Sequence, residues 1–172
     1  MSPMIRVFLG ITGASGVIYG IKVLELLKKA GVEVHLSISK TAQKVIKLET
    51  DYDVQYVKSL ADYVWPEDDL TAPPASGSFG IDAVAVVPCS TKTLAAIANG
   101  ITLNLITRFY DRPAVEARRR GWLQTAALGA FVRQQYGLQP SYERGYEASG
   151  GFVVWYLAPH ALGVRAVVLI LM

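Results

Sequence analysis

An apolar run that stops at a cluster of glycines constrains this chain more than any other stretch. From Ile5 to Gly20 it reads "IRVFLGITGASGVIYG", a strand-like run to Gly10, then Thr12-Gly13-Ala14-Ser15-Gly16, then residues that open a helix. A strand that turns this sharply into a helix gathers main-chain N–H groups and the positive end of the helix dipole at one point, which suits an anion. Gly13 and Gly16 permit the reversal and a close approach to the backbone, and Ser15 adds a hydroxyl at the helix start. Glycines at 10, 13, 16 and 20 fit neither G-x-G-x-x-G nor G-x-x-x-x-G-K-[ST]. Phosphate binding and a plain tight turn with a serine cap are both open readings of these residues.

A chain of 172 residues is large enough for one domain with a real core, and one unit over 1–172 is expected. Hydrophobic residues at 52% and charged residues at 18% exclude a disordered chain. A mean hydropathy of +0.31 raises the question of a membrane. The run Ile5–Ile11 and the late run "VRAVVLILM" both fall well short of the ~20 residues a spanning helix needs. No basic region precedes the first strand as it would in a signal peptide, so a cytoplasmic protein with no membrane partner is expected. The one cysteine, Cys89, excludes an intramolecular disulfide and a Cys-based zinc site. The two histidines, His35 and His160, lack H-x-x-x-H spacing, so no metal site is expected, and His35 in "VEVHLSIS" reads as a strand residue. A net charge of +3 comes from dispersed basic residues apart from Arg118 to Arg120, without interleaved aromatics. That pattern argues against nucleic acid and for small anionic ligands.

Helical spacing from Val17 to Gly31, with Lys28-Lys29 before the glycine, predicts a crossover helix. The alternating, β-branched stretch Val32–Ser39 predicts a second strand that closes a βαβ unit and brings Ser39 beside the glycine turn. Dinucleotide folds hold the adenosine ribose with a carboxylate there; Ser39 followed by Lys40 suits FMN better than NAD. Lys40 to Thr50 predicts a helix with Glu49 near its end, where the dipole disfavours a negative charge; a solvated glutamate is the plain reading. Residues 51–80 read as a long excursion able to cover a site, with one short helix around Val57 to Tyr63. Ile81 to Gly100 repeats the opening design: an apolar strand, a Pro88-Cys89 break, then Ser90-Thr91-Lys92-Thr93 at the start of an alanine-rich helix. The whole reads as α/β, with a three-layer flavodoxin- or Rossmann-like parallel sheet. Its strand ends point two anion-ready helix starts at one crevice. Simple capping by Ser90 is the plain alternative.

Together, "GITGASGVIYG", Ser39-Lys40, Leu48-Glu49-Thr50, "SGSF" and "PCSTKTLAAIANG" resemble the flavin prenyltransferase family, the UbiX type, in order and spacing over about residues 5 to 111. A cysteine-decarboxylase relative would carry P-x-M-N-x-x-M, which this sequence lacks. The resemblance implies a homo-oligomer, typically a dodecamer, that binds reduced FMN and dimethylallyl phosphate and joins the isoprenyl unit to flavin N5 and C6. It also implies that the product serves a UbiD-type decarboxylase. Carried over by motif, Gly13, Ala14 and Ser15 would meet FMN, with Ser39, Ser90, Thr91, Lys92 and Thr93 holding it from the neighbouring strand ends. Ser15 and Glu49 resemble the residues associated with proton handling and catalysis.

Beyond Thr107-Arg108, Asp111, Glu116 and Arg118 the match decays. The family expects R-E-T-P-L near position 125, an E-N-M helix, and a Tyr and a Lys or Arg for the substrate phosphate; here stands "LQTAALGAFVRQQYGLQP". Tyr156 in "WYLAP" echoes F-Y-x-x-P without matching neighbours. Back-translating Gln124 to Gly137 and reading one nucleotide later forces Lys or Arg across Gln124/Thr125. It then permits Pro-Leu and Asn-Met at the family spacing, so a slip of reading frame is one explanation. Arg118 to Arg120 and Arg133 are the cations left for a substrate phosphate. FMN binding is therefore expected to survive better than prenyl transfer, with an FMN-binding protein lacking transfer, or an inactive frame-slipped member, as the alternatives.

Overall fold

The computed structural model describes residues 4–76 and 78–108 together with two later strands. In chain order the elements are β1 (Arg6–Ile11), α1 (Val17–Lys29), β2 (Glu33–Ile38), α2 (Lys40–Glu49), α3 (Val54–Ser59), β3 (Tyr63–Val64), a 3-10 turn (Pro73–Ala75), β4 (Ala83–Cys89), α4 (Thr91–Asn99), α5 (Leu105–Arg108), β5 (Phe152–Tyr156) and β6 (Ala166–Leu171). They form one sheet in the order β3-β2-β1-β4-β6-β5. β1 lies between β2 and β4, parallel to both. The parallel sheet expected from the sequence holds through β6, whereas β5 runs antiparallel at the edge, in the C-terminal part that reads as atypical.

Burial on both faces explains why the central strands read as almost unbroken apolar runs. Leu9, Ile11 and Leu36 pack on one side with Ile21 and Leu24 of α1, Ile46 of α2 and Val57 of α3. Phe8, Val84 and Val86 pack on the other with Ile97 of α4, Leu105 and Ile106 of α5, Ala72 of the excursion, and Ile81 just before β4. Alternate residues of each strand thus serve opposite layers, which makes a three-layer α/β arrangement. The excursion contributes to both faces, Val57 to the first and Ala72 to the second.

Two boundaries differ from those expected. The short helix begins at Val54 because the Asp53 carboxylate accepts from the N–H groups of Gln55 and Tyr56 at 2.8 and 3.2 Å. Tyr63 and Val64 instead pair with His35 and Leu36 as β3. β4 runs on through Pro88 to Cys89, and its ladder with β6 shifts register between Val86 and Cys89. His35 is a core strand residue, 1% exposed, stacked on Tyr63 at 4.7 Å. Trp65 Nε1 donates to its Nδ1 at 3.2 Å, so the ring proton sits on Nε2, 2.9 Å from Glu33 Oε1.

α1 crosses β4 closely enough that a Cβ at Gly20 would overlap the Val87 carbonyl oxygen, with Ile11 behind it. A methyl group there has nowhere to go without moving the helix. Gly20→Ala should cost about 1–3 kcal/mol, read as a lower urea midpoint at unchanged slope; an unchanged midpoint would show that α1 can lift off β4.

Candidate functional site

The carboxyl ends of β2, β1 and β4 are laced together. Ser39 N–H donates to the Ile11 carbonyl at 3.0 Å, and Thr12 N–H donates to the Pro88 carbonyl at 3.2 Å. The Thr12 hydroxyl donates to that same carbonyl at 2.8 Å and accepts from Ser90 N–H at 2.7 Å. With Thr12 only 3% exposed, these bonds are shielded from water. The strand ends at Gly10, Ser39 and Cys89 therefore share one edge, as the sequence predicts.

Three helices start from that edge, and their starts differ. α1 is capped by Gly16, whose φ of 82° is left-handed and suits glycine, and no side chain caps it. The serine-cap reading of Ser15 therefore does not hold: Ser15 is exposed and its hydroxyl is not spent on the helix start. The Glu49 carboxylate instead accepts from Gly16 N–H at 3.0 Å. This resolves the odd placement of Glu49, because the charge at the unfavourable end of α2 lies at the favourable end of α1. Glu49, distant in sequence, is thus held at the amide that follows the exposed Ser15.

α2 is capped by Ser39, buried, whose oxygen accepts from Ala42 N–H at 3.0 Å and keeps its own proton to donate. α4 is capped by Ser90, which accepts from Thr93 N–H at 3.3 Å and lies 2.9 Å from the Thr93 hydroxyl. Thr91 and Lys92 are exposed in its first turn, where their N–H groups have no intrahelical acceptor. Gly13 and Ala14 are half-buried in the glycine turn, with Ala14 N–H bonded to the Thr12 carbonyl at 2.9 Å. A Cβ on Gly13 would overlap the Thr41 side chain, so packing against α2 alone demands glycine there.

Chemically, this edge offers free first-turn N–H groups, the exposed Ser15 hydroxyl, the exposed Lys92 ammonium and one carboxylate held by an amide. A phosphate-bearing ligand such as FMN fits that donor set. Cys89 contributes no nucleophile: burial pushes its thiol up to about 12, keeping it protonated. A cavity of about 190 Å³ opens beside the edge between α2, α3 and residues 64–68, lined by Ile38, Gln43, Lys58 and Trp65. Sequence reasoning assigned no role to Thr12 or to Glu67. Glu67 Oε1 accepts from Lys40 N–H at 2.7 Å, its Oε2 from Asn104 Nδ2 at 2.8 Å, and its carbonyl from Leu105 N–H at 2.7 Å. A hydroxyl at the end of an apolar run was a readable signal for Thr12; none in the sequence pointed to Glu67. The candidate cations Arg118 to Arg120 and Arg133 lie outside the described residues, as does His160, and Tyr156 is described only as a backbone position in β5.

Among known proteins, the family model described as Flavoprotein matches residues 1–120. The flavin prenyltransferase UbiX of Archaeoglobus fulgidus is 48% identical over 114 residues, 66% of this chain and 63% of that protein. The chain thus spans less than two thirds of the length of that relative. The structure of AnUbiX in complex with FMN and dimethylallyl pyrophosphate is 50% identical, covering 63% of this chain and 57% of that one, with a TM-score of 0.62. A dodecameric FMN-dependent Ubix-like decarboxylase from Escherichia coli O157:H7 is 41% identical, covering 62% and 59%, with a TM-score of 0.61.

Above the ordinary thiol value of 9.0, unfolded chains surrender the Cys89 proton while the folded protein keeps it up to about 12. Stability should therefore decline as pH rises through that interval, and Cys89→Ala should flatten the decline. Thermal melts of both proteins between neutral and strongly alkaline pH check this; parallel curves would contradict it.

Proposed function

The chain belongs to the Flavoprotein family, and on that premise we propose that it binds reduced FMN at the carboxyl edge of its sheet and acts as a metal-independent flavin prenyltransferase. The observation that carries the reading is the Glu49 carboxylate held on the Gly16 amide, next to the exposed Ser15, beside two further helix starts on adjacent parallel strands. In this reading Gly13, Ala14 and Ser15 hold the flavin at the turn, Ser39 holds it at the end of β2, and Ser90 to Thr93 hold it at the start of α4. Reduced FMN supplies the nucleophile. The allylic carbon–oxygen bond of dimethylallyl phosphate breaks, and the departing phosphate gathers charge that N–H groups and cations offset without a metal. Ser15 and Glu49 are the groups this reading assigns to proton handling, the hydroxyl lying one residue before the amide that holds the carboxylate.

Relatives described as flavin prenyltransferases and the AnUbiX complex with FMN and dimethylallyl pyrophosphate support this assignment. A homo-oligomer, a dodecamer like the Escherichia coli relative, follows by the same likeness, and Leu48 and Tyr19 are exposed near the site at 83% and 53%. The product would pass to a UbiD-type decarboxylase in the cytoplasm, with no part for nucleic acid or a membrane. No helix among the described residues is long and apolar enough to cross one. A second reading, FMN binding without transfer, draws on one observation: the family match ends at residue 120, before the stretch where cations for the substrate phosphate are expected.

Reduced FMN incubated anaerobically with the protein and either dimethylallyl phosphate or its pyrophosphate should yield prenylated FMN, followed by absorbance and mass. Bound FMN without product would favour the second reading, and no FMN binding would overturn both. Since Ser15 caps nothing, Ser15→Ala should leave the melting temperature unchanged while lowering turnover well beyond the ~1 kcal/mol of a lost cap; equal turnover would remove Ser15 from the chemistry.

A further inference from the structure

The two helical layers of the fold are separated by the sheet, yet one side chain joins them across its carboxyl edge. Glu67 leaves β3 by way of Trp65, which is itself tied down by Trp65 N–H to the Leu36 carbonyl at 2.8 Å. One carboxylate oxygen takes the first amide of α2, Lys40 N–H, in the layer that packs with α1. The other takes Asn104 Nδ2, and the Glu67 carbonyl takes Leu105 N–H, at the head of α5 in the opposite layer. Asp68 grips the other end of the same lysine, with Lys40 Nζ at 2.8 Å.

Both anchored elements border the proposed flavin site. Lys40 follows Ser39, so its amide sets the position of that hydroxyl. α5 carries Ile106, whose side chain closes over Gly10: a Cβ at Gly10 would meet Ile106 Cγ2 at 2.8 Å. Asn104 is held in turn, since its Oδ1 accepts from Thr107 N–H at 3.1 Å and Thr107 hydroxyl bonds the amides of Leu103 and Asn104 at 2.8 and 3.0 Å. The tie therefore ends on a rigid turn rather than on a loose side chain.

We propose that Glu67 is a positioning residue for the flavin site, a strut that fixes the α2 start carrying Ser39 against the α5 head over β1 and so keeps the crevice open to flavin before the ligand arrives. This rests on the flavin reading above. Its physical basis is preorganisation: charge-assisted bonds to two elements hold a gap that binding would otherwise have to order.

The test uses the full chain. In FMN-free protein, hydrogen exchange at the Lys40 amide is followed for the wild type, Glu67→Gln, Glu67→Ala and Asn104→Ala, and FMN dissociation constants are read from quenching of flavin fluorescence. Asn104→Ala is expected to speed exchange at Lys40, which it does not touch. Glu67→Ala is expected to weaken FMN binding roughly tenfold, mostly through faster release, with Glu67→Gln recovering part of the loss. Val57→Ala, a truncation in the core of α3 that lowers thermal stability, is expected to leave FMN affinity unchanged. Wild-type affinity in Glu67→Ala, an equal loss in Val57→Ala, or Lys40 exchange indifferent to Asn104 would overturn the proposal. Failure of the wild type to bind FMN would refute the flavin reading instead, and the exchange arm would then decide whether the strut exists. Should Glu67→Ala fail to fold, Glu67→Gln and Asn104→Ala carry the same comparison.

Discussion

Everything at the carboxyl edge depends on the hydroxyl of Thr12. A proline at 88 leaves β4 without an N–H in its last turn of ladder, and the register with β6 slips there. Thr12 spans the defect by donating to the Pro88 carbonyl and accepting from the Ser90 amide, while its own N–H reaches the same carbonyl. Each such bond contributes only about 0.5–1.5 kcal/mol net. Losing the hydroxyl would strand the Ser90 amide at about 1–3 kcal/mol, while the Pro88 carbonyl would keep the Thr12 N–H. The asymmetry explains why a single side chain can set where β4 ends and α4 begins. With that junction placed, the Ser90 cap and the first turn of α4 fall beside the glycine turn rather than a residue away from it.

How much of this was legible follows from how far each signal reaches along the chain. Strand β1, helix α1 and strand β2 were readable because period and stop signals lie within each element. The Ser90 cap was readable for the same reason, whereas Ser39 read as a strand-end hydroxyl rather than as the cap of α2. Glu49 read as a solvated residue at a helix end, because the amide it serves, Gly16, lies 33 positions away. Thr12 pairs with residues 76 and 78 positions on, so its place at the end of an apolar run marks a hydroxyl but not its partners, and Glu67, paired with residues 27 and 37 away, has no local mark at all. The helix placed near Val57 to Tyr63 shifted toward Asp53 because a cap decides a short helix, and Tyr63 and Val64 were claimed by a neighbour already paired to β1. Motif resemblance reaches further along the chain than periodicity does, since it names Glu49 together with the glycine turn.

Glycine carries two different duties in this fold. At 16 it supplies a left-handed conformation. At 13 and 20 it supplies emptiness, letting Thr41 and the Val87 carbonyl approach the backbone. A glycine-rich turn therefore reports on the packing of α1 and α2 as much as on any ligand.

Glu49 gives the start of α1 an unusual electrical state. Its carboxylate already occupies the amide that an incoming anion would want. An anion placed on Gly16 N–H would have to turn that carboxylate out, since two negative charges at hydrogen-bonding distance repel strongly. The first amide of α1 is thus already spoken for within the protein, while among the three helix starts that of α4 keeps donors left over in its first turn.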